Sequence, residues 1–305
     1  RIDTGPETTV TRLYQSHAGS NSESGDQFGA DLTIGDFDGD GFDDVIVGAP
    51  ENDTGGTLTG QAYVYFGGPT ADATAVFTFT GEGVNDIFGW SVASAGDVNG
   101  DGYADVIVGA RGNDAGGNAA GRAYIYFGGP SADNTADLTF TGEAALDNFG
   151  EPVGRSGDVN GDGYNDLIVG AVGNDAGGNG AGRAYVYFGG PAVDNTADLT
   201  LTGEAPIDRF GGSVASAGDT NGDGRADVIV GAYLSDAAGS DAGAAYLYRA
   251  TGPASAPGAR SGRPGRKAGT SGAPSRRTIR LSPSIFMSGP IAARKPGTLA
   301  SRISI

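Results

Sequence analysis

A nine-residue loop, Asp97-Val98-Asn99-Gly100-Asp101-Gly102-Tyr103-Ala104-Asp105, recurs at a fixed interval. Its four copies begin at Asp36, Asp97, Asp158 and Asp219, each 61 residues after the last. A period of that length restricts the chain to a row or ring of one supersecondary unit, in which each copy covers its neighbour. Every copy puts oxygen side chains at positions 1, 3, 5 and 9 and glycine at position 6. Alternating oxygen ligands around a glycine-permitted turn are what a hard cation needs. The expected side-chain ligands are Asp36, Asp38, Asp40 and Asp44 in the first loop, and Asp97, Asn99, Asp101 and Asp105 in the second. The third offers Asp158, Asn160, Asp162 and Asp166, and the fourth Asp219, Asn221, Asp223 and Asp227. Position 7 is expected to add a backbone carbonyl, from Phe42, Tyr103, Tyr164 and Arg225. The all-oxygen set favours Ca2+ or Mg2+ over Zn2+, and the irregular multi-carboxylate loop favours Ca2+, one ion per loop and four per chain. The first loop carries aspartate where the others carry asparagine, so it is expected to bind tightest.

Other markers keep the same period. Phe-Gly precedes each loop, at Phe28, Phe88, Phe149 and Phe210. Gly-Ala follows it, at Gly48, Gly109, Gly170 and Gly231. Then comes an aromatic run, Tyr63-Val64-Tyr65-Phe66 in the first copy and Tyr246-Leu247-Tyr248 in the last. The segments between markers are short, β-branched or aromatic, and bounded by Gly, Asn and Asp, which are strand and turn signals. In the second repeat they predict strands from Phe88 to Ala95, Asp105 to Ala110, Arg122 to Gly128 and Leu138 to Thr141. Asp-Val-Ile-Val-Gly-Ala is an unbroken apolar run, expected to be buried on both faces. The aromatic strand alternates more and is expected to be half-buried. No stretch has sustained helical periodicity. The fold class is therefore all-β, a β-propeller of four-stranded antiparallel blades.

These residues resemble a known family. Phe-Gly, the Asp-x-Asp/Asn-x-Asp-Gly-x-x-Asp loop and Gly48-Ala49-Pro50 are similar to the FG-GAP repeats of the integrin α-subunit N-terminal propeller and its bacterial relatives, over roughly residues 9 to 250. The resemblance implies calcium hairpins on one face of the propeller and partners bound mainly on the other. It also implies seven blades, which at 61 residues each would take about 427 residues, whereas this chain has 305 and four repeats. Two readings follow: a closed four-bladed form, which the size range of propellers allows, or a fragment of a larger one. The last repeat stops after its third strand at Tyr248, and an orphan strand, Thr9 to Gln15, precedes the first Phe-Gly. Together they would complete a fourth blade and remove an exposed edge.

Composition divides the chain into residues 1–8, the repeats over 9–250, and a tail over 251–305. Residues 1–248 hold 8 Lys and Arg against all 37 acids, a net −29; the remaining 11 Lys and Arg follow. An acidic body argues against nucleic acid as partner. Four bound Ca2+ would bring it to about −21. The tail is rich in Pro, Gly, Ser and Arg and is expected to be disordered; its abrupt onset also raises an out-of-frame translation. With no cysteine, no disulfide staples the fold. No apolar run is long enough to span a membrane. No signal peptide is present and the chain begins at Arg1, which reads as a mature or excised form.

Enzyme chemistry is thinly represented. His17 is the single histidine, and there is no Gly-x-Ser-x-Gly elbow. Glu82, Glu143 and Glu204, with Asp26, Asp86, Asp147 and Asp208, could be paired catalytic carboxylates, but their recurrence in nearly every repeat reads as structure. Deviations from the repeat are the better ligand candidates: Trp90, the only tryptophan, and Glu151 and Arg155, in a third repeat that reads Glu151-Pro152-Val153-Gly154-Arg155-Ser156. Pro152 would cost a ladder hydrogen bond inside a sheet. The Gly/Asn-rich loops from Asn113 to Gly121 and from Asn174 to Gly182 are expected to be adaptable surface. The expected activity is adhesion or ligand recognition by a calcium-binding propeller, dependent on Ca2+ only indirectly, secreted or at the cell surface, toward a protein or carbohydrate. A lectin-like propeller and the non-catalytic module of a secreted hydrolase are the alternatives.

Overall fold

A computed structural model describes residues 25–251 and 280–287. It contains four antiparallel four-stranded sheets, each a meander of consecutive strands. The first holds β1 (Leu32–Gly35), β2 (Asp44–Ala49), β3 (Gln61–Tyr65) and β4 (Phe77–Thr80). The second holds β5 (Phe88–Gly96), β6 (Asp105–Ala110), β7 (Arg122–Tyr126) and β8 (Leu138–Thr141). The third holds β9 (Phe149–Gly157), β10 (Asp166–Ala171), β11 (Arg183–Tyr187) and β12 (Leu199–Thr202). The fourth holds β13 (Phe210–Gly218), β14 (Asp227–Ala232), β15 (Ala244–Thr251) and β16 (Arg280–Met287). Each sheet is one repeat, and the sheets pack as propeller blades.

The order within a blade follows from burial. The Asp-Val-Ile-Val-Gly-Ala strand lies second, with a neighbouring blade on each face, and every residue of β6 and β10 is buried. The aromatic strand was expected to be half-buried; instead all five residues of β3 are buried, and four of five in β7. It too lies between blades, so both its faces are covered. Each Phe-Gly phenylalanine after the first wedges between two blades. Phe88 packs with Ala62, Val64 and Phe79 of the first sheet and with Val108 and Tyr124 of its own. Burying such a ring fully stabilises by about 1.5–3 kcal/mol. An edge-to-face pair with the blade's own tyrosine recurs, Phe88–Tyr124 at 5.3 Å, Phe149–Tyr185 at 5.4 Å and Phe210–Tyr246 at 5.3 Å.

Blade contact is closest at the glycines. A Cβ on Gly48, Gly109 or Gly170 would stand 2.1–2.2 Å from the carbonyl oxygen of Gly89, Gly150 or Gly211 in the following blade. Only glycine permits that approach. Pro152 costs little, because the first strand of each later blade already breaks register there. The shift falls between Phe88 and Ser91 in β5 and between Phe210 and Ser213 in β13, and opposite Val169 and Ala171 in β9.

The last sheet is not completed as expected. The fourth place in the last sheet is held by β16, paired along its length with β15, inside the stretch expected to be disordered. An outer strand is held mainly by backbone hydrogen bonds, and its open edge tolerates a proline such as Pro283. The Thr9 to Gln15 strand assigned to that place lies outside the described residues. Packing runs from first sheet to second, second to third and third to fourth; among the described residues no comparable packing joins fourth to first. The four blades therefore form an arc rather than a closed ring.

Candidate metal loops

Each repeated loop joins the first strand of its blade to the second and folds on its own side chains. In the first, both Asp36 oxygens accept backbone N–H groups, from Gly39 at 2.8 Å and Gly41 at 3.1 Å. Asp38 accepts from Asp40 N–H at 3.0 Å, and Asp40 from Phe42 N–H at 2.9 Å. These bonds turn successive oxygens inward. Asp36, Asp38 and Asp40 each bring a carboxylate oxygen within 4.8 Å of the others, a donor set that fits a hard cation. The position-6 glycines close the turn at φ of 91°, 98°, 99° and 85°, a region that side chains with a Cβ resist. The second, third and fourth loops repeat the pattern: Asp97, Asp158 and Asp219 each accept from the glycines at positions 4 and 6. Asn99, Asn160 and Asn221 accept from the backbone N–H of Asp101, Asp162 and Asp223.

The position-9 aspartates stand outside the Asp36–Asp38–Asp40 group and are engaged differently. Asp44, Asp105, Asp166 and Asp227 are completely buried. Asp105 accepts Val98 N–H at 2.8 Å and Gly128 N–H at 3.0 Å. Asp44, Asp166 and Asp227 make the equivalent bonds, to Phe37 and Gly67, Val159 and Gly189, and Thr220 and Ala250. Each carboxylate thus latches its loop to the end of the third strand. Burial pushes the Asp105 carboxyl up to about 7 and Asp166 to about 8, with the other loop aspartates adding repulsion and the two N–H donors opposing. A bound cation would oppose the same shift.

Position 7 has a second use that the loop pattern does not announce. Its side chain packs on the position-4 glycine of the preceding loop: Tyr103 on Gly39, Tyr164 on Gly100, Arg225 on Gly161. The guanidinium of Arg225 donates to the Asn160 carbonyl. Backbone bonds from Ala104, Asn165 and Ala226 N–H to the carbonyls of Asp36, Asp97 and Asp158 tie the four loops into a chain.

At the opposite end of the first strands a different group assembles. The Arg111 guanidinium lies 3.4 Å from the centre of the Trp90 ring and pairs with Glu151 at 2.9 Å. Arg111, at the end of β6, thus joins Trp90 of the second blade to Glu151 of the third. Arg155, four residues further along β9, is not part of this group and lies instead against Gly96. The recurring acids are structural ties. Glu82 pairs with Arg122 at 2.6 Å and Glu143 with Arg183 at 2.7 Å. Asp86 accepts from the N–H groups of Glu82 and Gly83 and from Asn113 Nδ2. Asn113 and Asn174 are buried. The loop after Asn113 bonds to the next blade, with Asn148 and Phe149 N–H on the carbonyls of Ala119 and Ala120. These segments, expected to be adaptable, are clamps between blades.

Comparison with known proteins agrees with this division of the chain. The family model described as FG-GAP repeat matches residues 28–65, 88–126, 154–187 and 210–248, one match per blade. Integrin alpha-5 of Xenopus laevis is 32% identical over 233 residues, covering 73% of this chain and 21% of that protein. Integrin alpha-PS2 of Drosophila melanogaster is 35% identical over 248 residues, covering 76% of this chain and 17% of that protein. Human integrin alpha-11 is 38% identical over 191 residues, 57% of this chain and 14% of that protein. The chain thus spans about a fifth or less of the length of these relatives. With one matched repeat to each four-stranded blade, the chain is an FG-GAP repeat protein, integrin-α-like over its propeller segment.

Proposed function

We propose that this chain is a Ca2+-binding propeller module that works outside the cell in adhesion or ligand recognition, and not in catalysis. The observation that carries the reading is the convergence of the Asp36, Asp38 and Asp40 oxygens, repeated in backbone pattern by the other three loops. Residues at positions 1, 3 and 5 would hold the ion, with position 7 offering its carbonyl, and the ion would neutralise an acidic hairpin that repels itself. Because successive loops are bonded to one another, each ion would also stiffen a junction between blades. Ligand recognition is assigned to the opposite end, where Trp90, Arg111 and Glu151 meet across two blades. An aromatic face, a cation and a carboxylate suit a polar partner surface. The similarity to integrin α subunits favours a protein partner over a glycan.

Calorimetric titration of the metal-stripped chain with Ca2+ and separately with Mg2+ tests this. The expected result is up to four Ca2+ sites with Ca2+ preferred. Calcium at 100 times the dissociation constant should stabilise by about 2.7 kcal/mol per site. No heat of binding, together with a melting curve indifferent to Ca2+, would overturn the metal reading.

A further inference from the structure

Position 7 of the fourth loop departs from the two before it. Tyr103 and Tyr164 put a neutral, half-buried ring on the position-4 glycine of the preceding loop, whereas Arg225 puts a guanidinium there. A Cβ on Gly161 would stand 3.0 Å from its Cζ and Nη1 and 3.2 Å from its Nη2. The charge therefore lies on the Asn160-Gly161 turn, where it donates to the Asn160 carbonyl. Arg225 is 3% exposed, and among the described residues no carboxylate pairs with it. A buried charge without a partner is costly. The negative charge that offsets it belongs to Asp158 and Asp162, on either side of the same turn. One residue thus serves two loops: its backbone N–H bonds to Asp223 in the fourth, and its side chain caps the third.

We propose, resting on the metal reading of the loops, that Arg225 is a resident counter-charge of the third loop and makes it a weaker Ca2+ site than the second. The two loops are otherwise matched. Asp97, Asn99, Asp101 and Asp105 stand where Asp158, Asn160, Asp162 and Asp166 stand, and the nine residues differ only at position 8, Ala104 against Asn165. Both of those side chains are neutral. The turns carry the same bonds, Gly100 and Gly102 N–H on Asp97, Gly161 and Gly163 N–H on Asp158. Their position-6 φ values are 98° and 99°. The charged difference is the side chain laid over each loop, Tyr164 on the second and Arg225 on the third. The guanidinium already offsets part of the charge that would attract the ion, and it repels a cation held beside it. Burial keeps salt from screening that repulsion fully. A unit charge set against a divalent one in a partly solvated loop changes a dissociation constant on the order of tenfold. With aspartate in place of asparagine favouring the first loop, the first three sites fill in chain order.

Calcium titration of the metal-stripped, full 305-residue chain, followed at the amide resonances of Gly102 and Gly163, reads the second and third loops separately in one sample. The Gly163 midpoint should fall at about tenfold higher Ca2+ than the Gly102 midpoint. Arg225→Met keeps an apolar stem over the turn and removes the charge. It should bring the two midpoints within about twofold, whereas Arg225→Lys should keep most of the gap. A role in packing alone would leave the gap unmoved in both variants. Equal midpoints in the parent chain, or a tighter third loop, would overturn the proposal without any variant having to fold. A gap that persists in Arg225→Met would assign the difference to Asn165 and overturn it as well. No response at either glycine would instead remove the metal reading itself, and this inference with it.

Discussion

Alanine in place of Gly109 would put a methyl where the second and third blades touch. Its Cβ would stand 2.1 Å from the Gly150 carbonyl oxygen, 3.0 Å from the carbonyl carbon and 3.3 Å from Cα. All three are backbone atoms, so no side chain can rotate aside. Relief requires the blades to part by about 1 Å, and a gap of that size forfeits a quarter to a half of each dispersion contact across it. Those contacts join Ile107 and Ile125 to Phe149, Leu167 and Tyr185. Overpacking of this kind costs about 1–3 kcal/mol. The lower backbone entropy of alanine in the unfolded chain returns about 0.4–1 kcal/mol. The net loss, about 1.3 kcal/mol, should lower the melting midpoint by roughly 3–5 °C for a domain of this size. Gly231→Ala is the internal control. It lies in the same Asp-Val-Ile-Val-Gly-Ala strand, but its nearest neighbour is Ser213 Cβ at 3.4 Å. Measured by circular dichroism in dilute solution with excess Ca2+, it should change stability by under about 0.5 kcal/mol. Equal losses from the two substitutions would refute the argument that blade-to-blade approach is what requires glycine.

The metal-free chain should lose stability as pH rises. The carboxyls of Asp105 and Asp166 are raised to about 7 and about 8 from an ordinary 3.8, so the fold favours their protonated forms. Their contribution is complete below about pH 4 and lost as pH rises through 7 to 8. Melts of metal-stripped protein should therefore fall between pH 5.5 and 8.5, and a flat profile would count against the burial argument. Asp38→Asn makes the first loop match the other three; calorimetry should show weaker Ca2+ binding at one site, with the rest unchanged. Trp90→Ala removes a cation–π contact of about 0.5–1 kcal/mol. Screening against extracellular-matrix proteins should show weakened binding with a melt lowered by only a few degrees; a retained affinity would remove Trp90 from the ligand face.

What the sequence determined by itself was what residues close along the chain decide. The 61-residue period set four blades, and strands Asp105–Ala110 and Leu138–Thr141 fall where the β-branched runs place them. The self-bonded turn of each loop was legible too, because its aspartate and glycine spacing closes nine residues on their own side chains. Tertiary structure decided whatever depends on a neighbouring blade. The aromatic strand is buried on both faces, although its alternation looked half-exposed, because blades stand on each side of it. Asp105 became a latch only when Gly128, 23 residues away, brought its N–H to the carboxylate. The Gly/Asn-rich loops became clamps once the next blade's backbone met them. Trp90, Arg111 and Glu151 span 61 residues, and no local pattern brings an indole, a guanidinium and a carboxylate together across that distance. The strand that ends the last sheet came from Arg280–Met287, because a sheet edge is satisfied by hydrogen-bonding backbone, which side-chain patterning specifies only weakly.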